Sequence, residues 1–250
     1  MSGVRCAVDG GVARITLARP EASNSVDMAT ARAFGEAVDQ ARDPSVRAVL
    51  VTGEGPRFCA GGDVASMAAA EDRSAYLHEL AAVLGGELLR LAELDKPVVA
   101  AVHGAVAGAG LAFVLTADLV VAARSTRFLM AYSGVGLTPD CGVSYLLPRA
   151  VGQQRALEMA LLNRALTAAE ALEWGLVTQV VEDDEALGRA EEIAARLAAG
   201  PAFALGQAKR LIRGSWETTP QQSVADEAAT IGRAITTGDA ARLIDAFLRR

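Results

Sequence analysis

Two short loops carry residue types from which chemistry could be built. The first is FCAGGD, Phe58 to Asp63, and the second is HGAVAGAG, His103 to Gly110. Each follows an apolar run that reads as a buried strand, Val46 to Thr52 and Pro97 to Val102. Each also places glycine where another group can come close to the backbone. Gly61 and Gly62 sit in the first loop, while Gly108, Ala109 and Gly110 open a helix after the second. Backbone N–H groups at a helix start are unpaired and carry partial positive charge. Two such groups converging on one point make an oxyanion hole, which holds negative charge as it develops on oxygen. Taken singly, each loop is also compatible with an ordinary tight turn.

The remaining chemistry-bearing residues narrow the field. Cys6, Cys59 and Cys141 are odd in number and widely spaced, which predicts free thiols in a reducing compartment. His78 and His103 stand at no metal-ligand spacing from a cysteine, so no metal site is expected. A formal charge of −6 without a basic stripe argues against nucleic acid as a partner. The longest apolar stretch is interrupted by His103, several glycines and Asp118, so it reads as core and not as a membrane span. A cytoplasmic protein is expected.

These residues must be held by a scaffold, and the pattern predicts one of alternating strands and helices. Val4 to Val8 and Ala13 to Leu17 flank Asp9-Gly10-Gly11, a hairpin signal. A helix follows over Met28 to Arg42, stopped by Asp43-Pro44. Residues 74–94 have helical spacing with an expected break at Gly85-Gly86, and Asp118 to Ala122 reads as a further strand. The recurring strand, loop and helix imply an α/β fold with parallel pairing. Two regions are expected: an α/β core over 1–195 and a helical C-terminal region over 196–250, too small to bury a core of its own and expected to pack on a neighbouring subunit or back on the main domain.

RPEASNS, FCAGGDV, HGAVAGAGLAF and GLTPDCGVSYLLPRAVG, in that order, resemble the enoyl-CoA hydratase/isomerase family, the crotonases. The likeness continues through TAAEALEWGLVTQVV to DAARLIDAFLRR. It implies a crotonase-type spiral of ββα turns with a C-terminal helical trimerisation region, assembled as a trimer or dimer of trimers. It implies an acyl-CoA thioester substrate, with CoA arriving as part of that substrate and no other cofactor. By position, Gly62 and Ala109 would supply the oxyanion N–H groups. Ala60, Gly61, Gly62, Asp63 and Val64 would line the CoA side, with Ala22 and Ser23 bordering the channel. Phe247 and Arg250 match tail positions that meet CoA from a neighbouring subunit.

The resemblance also locates a departure. Family hydratases work with two glutamates, and the matching positions are Ala112 and Tyr132, neither of which is a base at neutral pH. Asp140 stands where family isomerases carry a proton-shuttling aspartate, and the segment PDCGVSYLLPR is similar to the ring-epoxide isomerases of phenylacetyl-CoA breakdown. The expected activity is therefore a double-bond shift, or an epoxide or ring rearrangement, of an acyl-CoA. Asp140 is expected among Leu137, Val143 and Tyr145, with Tyr132 closing the pocket or donating a hydrogen bond. Its place just before a helix equally suits an N-cap. Three alternatives stay open: hydratase-like chemistry, hydrolysis or dehalogenation with Asp140 as nucleophile, and acyl-CoA binding without catalysis. His103 is expected to bond the backbone, and His78 to lie near a lid formed by residues 64–90.

Overall fold

The computed structural model describes residues 3–249. The chain opens with the hairpin β1 (Val4–Asp9) and β2 (Val12–Leu17), then a 3₁₀ turn at Pro20–Ala22. Helix α1 (Met28–Ala41), strand β3 (Ala48–Gly53), and helices α2 (Val64–Ala69) and α3 (Arg73–Ala92) follow. Next come β4 (Val98–Val102), β5 (Ala105–Ala107), α4 (Ala109–Thr116), β6 (Leu119–Ala123) and β7 (Arg127–Leu129). Beyond them lie α5 (Val143–Val151), α6 (Gln153–Leu161), β8 (Leu166–Thr167), α7 (Ala168–Glu173) and β9 (Gln179–Val181). The chain ends in α8 (Ala186–Ala198), α9 (Ala202–Gly214), α10 (Pro220–Ala234) and α11 (Gly238–Leu248).

Two sheets organise the molecule. The larger has six strands in the order β1-β2-β3-β4-β6-β9, with only the opening hairpin antiparallel. The smaller has the order β5-β7-β8. The chain therefore advances in ββα turns: β4, β5, α4 and then β6, β7, α5, one strand in each sheet before each helix. An earlier, abbreviated turn runs from β3 through an isolated parallel bridge at Cys59 to α2.

The central strands read as unbroken apolar runs because both faces are covered. Side chains alternate between two cores. Val49, Val51, Val98, Ala100 and Val102 face the main core with Phe34, Leu84, Leu88 and Leu91. Leu50, Val99, Ala101, Val121 and Ala123 face α8 through Ala186, Ala190, Ile193 and Ala194.

Two expectations are corrected. Helix α3 runs through Gly85-Gly86 without a break. Each glycine costs only about 1 kcal/mol in a helix interior, and burying Leu80, Leu84, Leu88 and Leu91 along one face outweighs it. The second glycine loop is not entirely loop, because Ala105–Ala107 pairs in parallel with β7.

Helix α9 is tied to the core by a half-buried charge cluster around the Lys209 ammonium. The Asp118 carboxylate accepts from the Val98 N–H at 2.8 Å, lies 2.8 Å from the Arg213 guanidinium and 3.2 Å from the Lys209 ammonium. The Lys209 side chain is 6% exposed, and burial pushes its pKa down despite Asp118. Beyond this anchor, α10 and α11 leave Val224, Ile231, Ile235, Phe247 and Leu248 exposed. Removing one partner of a buried pair strands the other charge, at a cost of roughly 3–5 kcal/mol. Asp118→Asn is therefore expected to lower unfolding stability by about 3 kcal/mol in urea titration; a change below 0.5 kcal/mol (roughly the level of a neutral surface substitution) would refute the anchoring role.

Candidate active site

The first glycine loop is fixed on both sides. Phe58 and Cys59 donate to the carbonyls of His103 and Ala105 at 2.9 and 3.2 Å, and Ala107 donates back to Cys59 at 3.0 Å. A short parallel ladder thus zips the first loop to the second. Beyond it the two chains come into backbone contact. Gly61 has φ +111°, and a Cβ there would lie 3.3 Å from the Ala107 carbonyl oxygen; Gly108 has φ +52°, and a Cβ there would lie 3.4 Å from the Gly61 Cα. Side chains would hold the loops apart in conformations that L-residues rarely adopt.

Val26 sets the direction of the Gly62 amide. Its N–H donates to the Gly61 carbonyl at 2.8 Å, and its carbonyl accepts from the Asp63 N–H at 2.9 Å, an isolated parallel bridge centred on Gly62. In such a bridge the flanking peptide groups face the partner, so the Gly62 N–H points the other way. Ala109 is the first residue of α4, and its N–H precedes the intrahelical ladder. Among the described residues neither N–H has a protein acceptor. Both residues line one cavity of about 370 Å³.

Asp140 lines the same cavity, and its carboxylate accepts from the Tyr132 hydroxyl at 2.7 Å. It is not a helix cap: α5 starts at Val143 with Gly142 at the cap and no side-chain cap bond. The segments carrying this pair are strained. Ala131 has φ +65° and Cys141 has φ +49°, conformations that cost of order 1–3 kcal/mol each and cluster at functional sites. Burial, and then the Asp140 charge, push the Tyr132 phenol far above its ordinary pKa, so it stays protonated and donates. Tyr145, expected beside Asp140, instead lines a second groove and is 44% exposed. Val143 is buried in the main core, and only Leu137 of that trio lines the cavity.

The other residues singled out in the sequence divide clearly. Ala60, Gly61, Val64 and Tyr132 line the cavity. Asp63 does not: it caps α2 by accepting from the Ser66 N–H at 3.1 Å and pairs with Arg19 at 3.0 Å. Burial raises its pKa, but the Ser66 N–H and the Arg19 guanidinium more than offset this and hold it below the ordinary value. Ala22 ends the 3₁₀ turn, and Ser23 accepts the Ala60 N–H at 3.0 Å and an Arg57 N–H at 2.7 Å, so both stand behind the first loop. Phe247 is 75% exposed on α11 and does not line the cavity that holds Asp140. Arg250 lies outside the described residues.

His103 bonds the Gly55 carbonyl through Nε2 at 2.8 Å, a structural role. Burial pushes the Cys59 thiol up to about 12 and raises that of Cys141 as well, so neither is a thiolate nucleophile. Among the described residues no group of three His, Cys, Asp or Glu side chains is placed to hold a metal.

Helix α3, most of which falls in the segment expected to form a lid, lines the cavity with Leu77, His78, Leu80, Ala81 and Leu84. Leu77, Leu80, Ala81 and Leu84 stand at i, i+3, i+4 and i+7, the spacing that marks one helical face. What sequence reasoning missed is the support under the first loop. Arg19 reaches Asp27 at 2.9 Å as well as Asp63, and Asn24 donates to the Glu54 and Arg57 carbonyls at 2.8 Å. All of these except Glu54, Arg57 and Asp63 belong to the stretch from Arg19 to Asp27 that contains RPEASNS.

Residues 7–250 match the family model described as enoyl-CoA hydratase/isomerase. Among curated relatives, the chain is 41% identical over 221 residues to an Escherichia coli protein described as 1,2-epoxyphenylacetyl-CoA isomerase, covering 85% of this chain and 82% of that one. It is 37% identical over 212 residues to 4-chlorobenzoyl coenzyme A dehalogenase-2 of an Arthrobacter species, covering 83% and 77%. Among solved structures it superposes on an enoyl-CoA hydratase from Polaromonas sp. JS666 with a TM-score of 0.93 and 33% identity, covering 98% and 96%.

The Arg19–Asp63 clamp has a pH signature. A carboxylate whose folded pKa is depressed stabilises the fold above its unfolded value, near 3.8, and loses that contribution as pH falls through the folded value. Asp63→Asn keeps a good N-cap residue but removes the ion pair. It is expected to cost ~1–3 kcal/mol at pH 6, with the deficit shrinking from pH 4 downward in paired thermal melts. A deficit independent of pH would refute the clamp.

Proposed function

The chain belongs to the enoyl-CoA hydratase/isomerase family, and we propose that within it the protein is an acyl-CoA isomerase with Asp140 as its single proton shuttle. One observation carries this reading. Asp140 is the only carboxylate lining the cavity among the described residues, and it shares that cavity with the two unpaired N–H groups of Gly62 and Ala109. Hydration needs one group to activate water and another to protonate carbon. Ala112 is fully buried in the core and has no proton to exchange, and Tyr132 is held protonated.

The proposed reaction begins with the thioester oxygen between the Gly62 and Ala109 amides. Asp140 removes a proton from carbon, and the electron pair delocalises onto that oxygen as an enolate or dienolate. The same carboxyl returns the proton two carbons away, the double bond shifts, and the enzyme ends as it began. A bare carboxylate is too weak a base for a thioester α-proton, and the two amides close that gap by stabilising the charge as it develops. Tyr132 orients the carboxylate toward the cavity. The same carboxyl, acting first as base and then as acid, suits an epoxide or ring rearrangement, the activity named for the Escherichia coli relative. The Ala60–Val64 segment, backed by Ala22 and Ser23, would follow the CoA moiety, which leaves with the product.

A second reading is favoured by one feature. His78 of α3 shares the cavity with Asp140, an arrangement open to attack by the carboxylate on a halide-bearing aryl carbon with loss of the halide ion, after which histidine activates the water that hydrolyses the aryl ester and restores Asp140. Trapping a covalent adduct on Asp140 would select that route, and solvent deuterium entering the α and γ carbons without hydrolysis selects isomerisation.

The exposed apolar residues of α10 and α11 support assembly as a trimer or dimer of trimers, in which Phe247 and Arg250 would reach CoA bound to a neighbour. The proposed location is the cytoplasm, with neither nucleic acid nor membrane as a partner. Among the described residues no helix is long and apolar enough to cross a membrane.

Two substitutions test the mechanism. Asp140→Asn is expected to lower turnover of a 3-enoyl thioester by about 10²–10⁴-fold, and near-normal turnover would refute the shuttle. Ala109→Pro deletes one N–H at a first helical position, where proline is tolerated. It is expected to lower kcat by about 10²–10³-fold with an unchanged circular dichroism spectrum; retained kcat would mean that this amide does not hold the oxygen.

A further inference from the structure

The loop that carries Tyr132 and Asp140 is held from outside the cavity. It leaves β7 at Leu129, and β7 pairs antiparallel with β8 through Arg127–Thr167 and Phe128–Leu166. Continued by three residues, that register sets Ala131 opposite Asn163, in the connection between α6 and β8. The ladder cannot continue there as backbone, because Ala131 has φ +65° and Asn163 has φ +49°. A side chain takes over: the Asn163 Oδ1 accepts from the Ala131 N–H at 3.1 Å. Among the described residues the Ala131 N–H has no other acceptor.

This bond sits at the junction between the two halves of the site. On one side, the Leu129 carbonyl accepts from the Gly108 N–H at 3.2 Å, next to the Ala109 amide. On the other, the Tyr132 carbonyl accepts from the Val135 and Leu137 N–H groups at 3.1 and 2.9 Å, and its hydroxyl closes the loop on Asp140 at 2.7 Å. Ala131 joins these fixed points, and its left-handed turn decides where the Tyr132 ring leaves the backbone. Gly134 leaves room for the clamp, since a Cβ there would lie 3.0 Å from the Asn163 Nδ2. Asparagine suits the place twice, because it tolerates the left-handed region and its short amide reaches a nearby backbone N–H. Asn163 is half-buried and does not line the cavity that holds Asp140.

We propose that Asn163 is a positioning residue for the proton transfer: it holds Ala131 in its strained conformation and so keeps the Tyr132 hydroxyl on an Asp140 carboxylate that faces the cavity. This rests on the isomerase reading above and adds to it a residue that never meets the substrate. On that reading the amides grip the thioester, so a misplaced acid costs rate and not affinity.

Three substitutions in the whole protein test this, with a 3-enoyl thioester as the probe. Asn163→Gly removes the acceptor and keeps a residue at ease with positive φ. Asn163→Asp keeps both the acceptor and that tolerance. Tyr132→Phe removes the hydroxyl on which the clamp acts. Asn163→Gly is expected to lower kcat by about tenfold or more, with KM within about twofold and an unchanged circular dichroism spectrum. Asn163→Asp is expected to stay within about threefold of the unaltered kcat, because its carboxylate still accepts. In the Tyr132→Phe background, Asn163→Gly is expected to remove no more than about twofold further, since two changes to one contact do not add. Full kcat in Asn163→Gly, a loss carried by KM, or a loss that multiplies with that of Tyr132→Phe overturns the inference alone. So does an Asn163→Asp protein as slow as Asn163→Gly, or an Asn163→Gly protein that fails to fold, which would assign Asn163 to the fold and not to the site. If the unaltered protein leaves the thioester unchanged, or Asp140→Asn keeps near-normal turnover, the isomerase reading falls and the inference with it.

Discussion

The site depends on one contact: two stretches of backbone, far apart in sequence, meeting without side chains between them. The ladder from Phe58 to Ala107 aligns them, and the approach of Gly61 to Gly108 fixes how close they come. Everything the cavity can do to a carbonyl oxygen follows from that distance. An N–H donor loses most of its value when misplaced by an ångström. Most of the surrounding architecture can be understood as a way of preventing such misplacement. The large sheet delivers β3 and β4 side by side in parallel. The small sheet receives Ala105–Ala107 and fixes the start of α4. Val26, Arg19 and Asp63 hold the first loop from the opposite side.

The same contact explains what was legible in the sequence. Strands buried on both faces declare themselves as apolar runs, so β3 and β4 were readable, and so were the glycines that follow them. The small sheet was not, because β5 and β7 are three residues each and owe their form to pairing across the spiral. No local pattern of that length outweighs the turn signal of the adjacent glycines. Gly85-Gly86 misled in the opposite direction. Glycine's local cost is real, but the leucines on either side bury a continuous face.

For the site itself, residue identity was legible and direction was not. Pro139-Asp140 ahead of a helix looks like a cap and a catalytic acid equally well. A shift of two residues decides between them. Cys141 takes the left-handed conformation and Gly142 becomes the cap, which frees the Asp140 side chain to face the cavity. Cysteine in that conformation could not have been foreseen from propensity. Arg19 and Asn24 were quoted within a motif, but their work is done through hydrogen bonds to residues about thirty to forty-four positions away, and spacing alone carries no trace of these.

The electrostatics of the cavity favour chemistry that returns what it removes. Each thiol beside the site is held neutral by burial, and the phenol is held neutral by burial and by the carboxylate it serves. One carboxylate in an aliphatic pocket can accept a proton only if the charge it gives up reappears close by, on an oxygen already met by hydrogen-bond donors. The negative charge then moves across the cavity and back, and the pocket's net charge is constant throughout the cycle. Adding water across a double bond asks for more, because one group must activate the water while another protonates carbon, and neither Ala112 nor the protonated Tyr132 is a base. Under the proposed isomerase reading, one carboxylate facing two amide donors is enough for a proton transfer between two carbons of one substrate.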